Sequence, residues 1–153
     1  MTKMDNKYMA SNNTKSGTET VEDKMNEFFA SNEKFFTDGD INGKRAFFTL
    51  GIYCRRVIES LEKQVAEAGT QTKEQEKFMS RINREIGLNM TYRSFTTISK
   101  LLDSMARSVN PKLFYSCSGV CKQFIINSEV MTDKKALLSA DANLAFSLGM
   151  YQK

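Results

Sequence analysis

The sequence predicts an all-α fold: a bundle of five or six antiparallel helices behind a disordered polar tail. Three observations carry that expectation. Apolar residues recur at steps of three and four through most of the chain, which is the helical period. Pro111 is the only proline, so the long periodic stretches carry no breaker. Glycines number eight and form no runs. At 153 residues the chain is one domain, long enough to bury a core without staples.

Residues 1–20 are polar and offer almost nothing to bury, so they are expected to form the tail, with the helical domain spanning 21–153. Met1, Met4, Met9 and Met25 leave the start of translation ambiguous. Thr20 and Asp23 form a weak capping box for an entry helix running to about Phe36, with Val21, Met25, Phe28, Phe29, Phe35 and Phe36 as its apolar set. Thr37 to Asp40 reads as a turn.

The segment from Gly43 to Ala68 is the expected centre of the bundle. Phe47, Leu50, Cys54, Val57, Ile58, Leu61, Val65 and Ala68 lie on one helical stripe, and Phe48, Ile52 and Tyr53 add a second strip beside it. A helix apolar on two sides needs neighbours on both. Gly51 interrupts the apolar run at a cost of about 1 kcal/mol relative to Ala. That cost is accounted for most simply by another helix backbone crossing close by. Gly69 supplies a left-handed C-cap.

Four further segments follow. Thr72 and Gln75 make a better capping box, opening a helix that buries Phe78, Met79, Ile82 and Ile86 and ends at Gly87. Thr91 caps the next, with Phe95, Ile98, Leu102, Met105 and Val109 inward. Asn110-Pro111 is a break, and Pro111 suits the first position of a helix burying Leu113, Phe114, Cys117, Val120, Cys121, Phe124 and Ile125. A short connecting segment from Thr132 holds Leu137 and Leu138. Ser139 then caps a last helix carrying Ala142, Ala145, Phe146, Gly149 and Met150.

Composition narrows the chemistry. There is no histidine, so a Ser–His or Cys–His catalytic centre is impossible, and the commonest metal ligand and general base are missing. No acidic pair falls on an apolar face, and no phosphate-loop pattern occurs. Cys117 and Cys121 would share a helical face, but Cys54 is the only other thiol, too few for a four-ligand zinc site. The cysteines read as small buried hydrophobes. No catalytic residue, metal or cofactor is therefore expected. No apolar stretch reaches the roughly 18 residues of a membrane span, and the N-terminus has no secretory core. A cytoplasmic, non-enzymatic binding or scaffolding module is expected.

Charge is uneven. Residues 21–40 carry two Lys against six acids, whereas residues 41–153 carry seventeen Lys and Arg against ten acids. A basic body suits a polyanionic partner. Arg93, Lys100 and Arg107, seven apart, form a near-axial row about 10 Å between members, with Thr96, Thr97 and Ser104 beside it. Lys77, Arg81 and Arg84 form a second strip, and Lys112 lies just beyond the row. Such a row tracks phosphates and has no means of reading bases. Its bland alternative is a solvated helix face. Lys44 and Arg45 sit where the helix dipole disfavours cations, a weak pointer to an outside partner. Arg55 and Arg56 either contact a strand or a neighbouring subunit, or pair with Glu59, which is the simpler reading. The Phe-Phe pairs are read as core.

Two motifs resemble a known family. Asn32-Glu33-Lys34-Phe35-Phe36, then Lys44-Arg45-Ala46-Phe47-Phe48-Thr49-Leu50-Gly51-Ile52 and the Arg55-Arg56 pair, are similar to the K-x-A-F-L-L-G-hydrophobic segment near the C-terminal end of type I-B CRISPR Cascade large subunits. The stretch Leu138 to Met150 is similar to that family's acid-rich turn and F-x-x-G-M ending. The resemblance spans roughly residues 25–151 and leaves 70–135 unmatched. It implies a stand-alone small subunit, of the kind made from an internal start in the large-subunit reading frame. Such subunits pack on the Cascade backbone and large subunits and on further copies of themselves. They help hold the guide RNA–target DNA duplex and the displaced strand of the R-loop in antiviral defence, while base pairing reads the sequence. Expected strand contacts are Arg81, Arg84, Arg93, Lys100, Arg107 and Lys112, with Lys44, Arg45, Arg55 and Arg56 behind them. The competing expectation is a helical protein–protein adaptor that meets acidic partner surfaces.

Overall fold

Burial along the central helix sets the architecture. The computed structural model describes Glu27 and residues 41–86, 92–127 and 139–151. The expected tail, nearly all of the entry helix, and the Thr132 to Leu138 connection lie outside the described residues, as do Gly87 and Thr91. Within the described residues every element is a helix. We label them α1 (Ile41–Ala68), α2 (Lys73–Ile86), α3 (Tyr92–Val109), α4 (Pro111–Leu113, Phe114–Ser118 and Gly119–Ile126 in one run) and α5 (Ser139–Met150).

From Gly43 to Cys54 every residue of α1 is buried except Arg45, which is half-buried. Beyond Cys54 only Val57 and Leu61 remain buried, so the helix is enclosed over its first half and amphipathic over its second. It is covered by α5, α3 and α4: α5 crosses at Phe48, Gly51 and Ile52, while Phe47 and Tyr53 meet α3. Phe47 meets Phe95 of α3 edge-on, with ring centroids 5.4 Å apart and planes at 80°, a geometry the aromatic quadrupole favours. Full burial of side chains such as Phe47, Leu50 and Ile98 contributes about 1.5–3 kcal/mol each, and the core continues through Leu102, Cys117, Cys121 and Phe146.

Gly51 lies where a second helix backbone crosses, as expected. A Cβ on Gly51 would collide with the Phe146 carbonyl oxygen and stand 3.0 Å from the Met150 nitrogen. A Cβ on Gly149 would collide with the Phe48 carbonyl oxygen and stand 3.0 Å from the Ile52 nitrogen. Each glycine therefore aims a Cα hydrogen at a carbonyl of the other helix, a reciprocal contact that weak C–H···O bonding supports. Residue size at these two positions sets how closely α1 and α5 approach.

Local signals end the helices where they occur. Gly69 has φ +82° and its N–H donates to the Val65 carbonyl at 2.8 Å, closing α1 with a left-handed residue. The capping box of α2 is reciprocal: the Gln75 N–H donates to Thr72 Oγ1 at 3.1 Å, and the Thr72 N–H donates to Gln75 Oε1 at 2.9 Å. Gln75 also donates through Nε2 to Gln64 Oε1 at 3.3 Å, tying α2 back onto α1. Asn110, with φ −162°, separates α3 from α4, and Pro111 opens α4. Ser139 lies inside the first turn of α5 and does not precede it as a cap.

Apolar periodicity gives no sign that α4 is irregular. Phe114–Ser118 is a π-helical stretch between two α-helical parts. Cys117 and Cys121 are both fully buried on either side of its end, and Tyr115 stands 81% exposed.

Candidate nucleic-acid interface

The geometry of α3 divides its charges cleanly. Phe95, Ile98, Leu102, Met105 and Ala106 face the core. Asp103, the helix's one acid, is turned inward and only 8% exposed. There it accepts a hydrogen bond from the Tyr53 hydroxyl at 2.8 Å and another from Lys122 Nζ at 3.2 Å. Burial first, and the bond to Asp103 second, push the Tyr53 phenol above its ordinary value. With Asp103 occupied inside, Arg93, Lys100 and Arg107 remain on the exposed side in one row. Among the described residues none of these three joins an ion pair, whereas Arg55 pairs with Glu59 and Lys122 with Asp103.

Arg107 is held by a ring. Its guanidinium carbon lies 4.3 Å from the centroid of Phe114, a cation–π contact that orients the side chain without neutralising it. Two grooves flank the row. One, of about 510 Å³, lies between α2 and α3, with Glu74, Lys77 and Arg81 on one bank and Ser104 and Ser108 on the other. The second, of about 290 Å³, lies between α3 and α4 and is lined by Lys100, Ser99, Asp103 and Lys122. Of the row itself Lys100 lines the second groove, and none of the three lines the first. Arg84 and Lys112 are exposed outside either groove.

The four residues expected behind that row are placed differently. Lys44 is only 5% exposed, because the first half of α1 is enclosed on all sides; it is not a surface contact in this fold. Arg45 is half-buried, and its desolvation pulls the guanidinium below its usual value. Arg55 takes the simpler of its two readings. Its Nε donates to Glu59 Oε2 at 2.8 Å, and its Nη1 donates to the Met150 carbonyl at 3.3 Å, satisfying the C-terminal end of α5. Arg56 is half-buried; desolvation raises the Cys117 thiol, and the Arg56 charge offsets only part of that rise. These four residues do not extend the α3 row.

Sequence reasoning missed Tyr115 and Lys122. Tyr115 carries one signal that could have found it: an aromatic lying off the apolar stripe of its own helix. Lys122 carries none, because its partner Asp103 is distant in the chain.

The three thiols are buried. Desolvation pushes Cys54 up to about 12 and raises Cys117 and Cys121 as well, which keeps them protonated and unreactive at neutral pH. Among the described residues no cluster of Cys, Asp and Glu could hold a metal ion. No helix among them is long and apolar enough to cross a membrane. No family model, no curated protein and no solved structure matches the chain. The helical bundle with its cationic ridge is thus the class that fold and site define.

Proposed function

We propose that the chain is a non-catalytic small subunit of an RNA-guided CRISPR interference complex of the Cascade type. It holds nucleic-acid backbone without reading sequence, and so steadies the guide–target duplex and the displaced DNA strand. The observation that carries this reading is the row on α3: three exposed cations two helical turns apart that join no ion pair among the described residues, with the helix's own acid, Asp103, held by Tyr53 and Lys122. Exposed point charges at that spacing suit phosphates, which lie at regular intervals on any strand. The partners this implies are the backbone and large subunits of the complex, further copies of the chain, guide RNA and target DNA in the cytoplasm. The two motifs around Ala46–Ile52 and Phe146–Met150 favour Cascade over another RNA-guided assembly. Both motifs meet at the Gly51–Gly149 crossing, so one structural feature accounts for their glycines.

The test is binding of the full chain to labelled oligonucleotides of unrelated sequence, read by fluorescence anisotropy at low salt. Equal affinity across sequences, and at least a tenfold loss (about 1.4 kcal/mol) when Arg93, Lys100 and Arg107 are changed together to Ala, is the expected result. Retention of full affinity by that variant, or binding to acidic proteins with none to nucleic acid, would favour the adaptor reading instead.

A further inference from the structure

We infer that Tyr115 is a base-stacking platform at the end of the cationic row, so that the strand held there is single-stranded. This rests on the reading of the row as a phosphate track, and adds to it what the phosphates' bases do. Arg93, Lys100 and Arg107 run along α3 towards Phe114, and Arg107 lies over that ring at 4.3 Å. Phe114 in turn meets Tyr115 edge-on, with centroids 5.2 Å apart and planes at 74°. Cation, buried-side ring and exposed ring therefore form one continuous chain of contacts.

Tyr115 is 81% exposed, the largest exposure among the big apolar side chains described. A tyrosine left that open contributes little to the core among the described residues. It nevertheless has a defined orientation, because its ring is set against Phe114 and its backbone lies in the π-helical stretch. π-Helical turns recur at functional sites because they re-aim side chains. Here the stretch keeps Leu113 and Cys117 in the core while Tyr115 projects into solvent.

Two features select a single strand over a duplex or a protein. An exposed ring presents a π-face to an unstacked base, and bases within a duplex offer none. The neighbouring charge is cationic: Arg107 is in contact with Phe114, and Lys112 is exposed in the same turn of chain. The row itself, fourteen helical steps, is about 21 Å long, room for several phosphates of one strand. A strand laid along it brings one further base over Tyr115.

The experiment uses the full chain and two variants. Tyr115→Ala is measured by anisotropy against a deoxythymidine strand of about twelve nucleotides, a ribouridine strand of the same length, and an abasic strand that keeps every phosphate. Wild type should bind the base-bearing strands tighter than the abasic one, and Tyr115→Ala should lose about 5- to 150-fold on the base-bearing strands alone. The two base-bearing arms show whether DNA, RNA or both are taken. Tyr115→Trp creates the only tryptophan in the chain, and its fluorescence should be quenched by base-bearing strands and unchanged by the abasic one. Unaltered affinity in Tyr115→Ala, with the Arg93, Lys100 and Arg107 triple variant still defective, overturns the stacking site and leaves the phosphate track standing. Wild-type affinity in the triple variant removes the track, and this inference with it. A change of oligomeric state in Tyr115→Ala, seen by sedimentation with strand affinity intact, assigns the ring to contact between copies and also overturns the inference.

Discussion

Gly51→Ala is the perturbation that most sharply tests the packing. The added Cβ meets only backbone: the Phe146 oxygen, the Met150 nitrogen at 3.0 Å and the Gly149 Cα at 3.1 Å. No rotamer can relieve it, so α1 and α5 must separate by on the order of 1 Å, thinning the contacts of Ala142, Ala145 and Phe146 with α1. Overpacking of this kind costs about 1–3 kcal/mol, and the paired C–H···O contacts add about 0.5–1 kcal/mol each. Ala returns about 1 kcal/mol of helix propensity. The expected net loss is about 2 kcal/mol. In urea unfolding followed by circular dichroism, that lowers the midpoint by on the order of 1 M with little change in slope. Gly149→Ala alone should cost about the same, and the double variant much less than the sum, because the first methyl already parts the helices. A raised midpoint for Gly51→Ala, by the propensity gain alone, would refute the close crossing.

Two further outcomes follow from the buried groups. The raised thiols of Cys54, Cys117 and Cys121 predict alkaline destabilisation. Above about pH 8.5 the unfolded chain releases thiol protons that the folded chain retains, so stability is full below that pH and falls by up to about 1.4 kcal/mol per pH unit for each thiol; urea midpoints that stay flat from about pH 8 to 10.5 would contradict it. Tyr53→Phe removes a donor from the inward-facing Asp103 and should cost about 1–3 kcal/mol without altering strand affinity. An unchanged melting curve would mean that Lys122 alone suffices for that carboxylate.

What could be read from the sequence was what neighbouring residues decide. Gly69, the Thr72–Gln75 box and the Asn110-Pro111 break act through bonds within a few positions, and each is found as expected. The crossing at Gly51 was legible because a glycine inside an apolar helix costs stability unless a second backbone comes close enough to need it. The exposed row was legible for a similar reason: three cations at steps of seven must share a face. What escaped was decided by distant partners. Lys44 is buried because α1 is enclosed from several sides, which no local pattern records. Asp103 turns inward for Tyr53 and Lys122, fifty and nineteen residues away. The π-helical stretch of α4 has no motif of its own, and the exposure of Tyr115 depends on it.

The phosphate track is tested most directly by the salt dependence of strand binding. The measurement is the slope of log K against log salt from about 50 to 200 mM, for the wild-type chain and for the Arg93, Lys100 and Arg107 triple alanine variant. Three lost phosphate contacts on a single strand should make the variant's slope shallower by about 2. Parallel lines, with the variant as salt-sensitive as the wild type, would contradict the claim that these three cations hold the backbone.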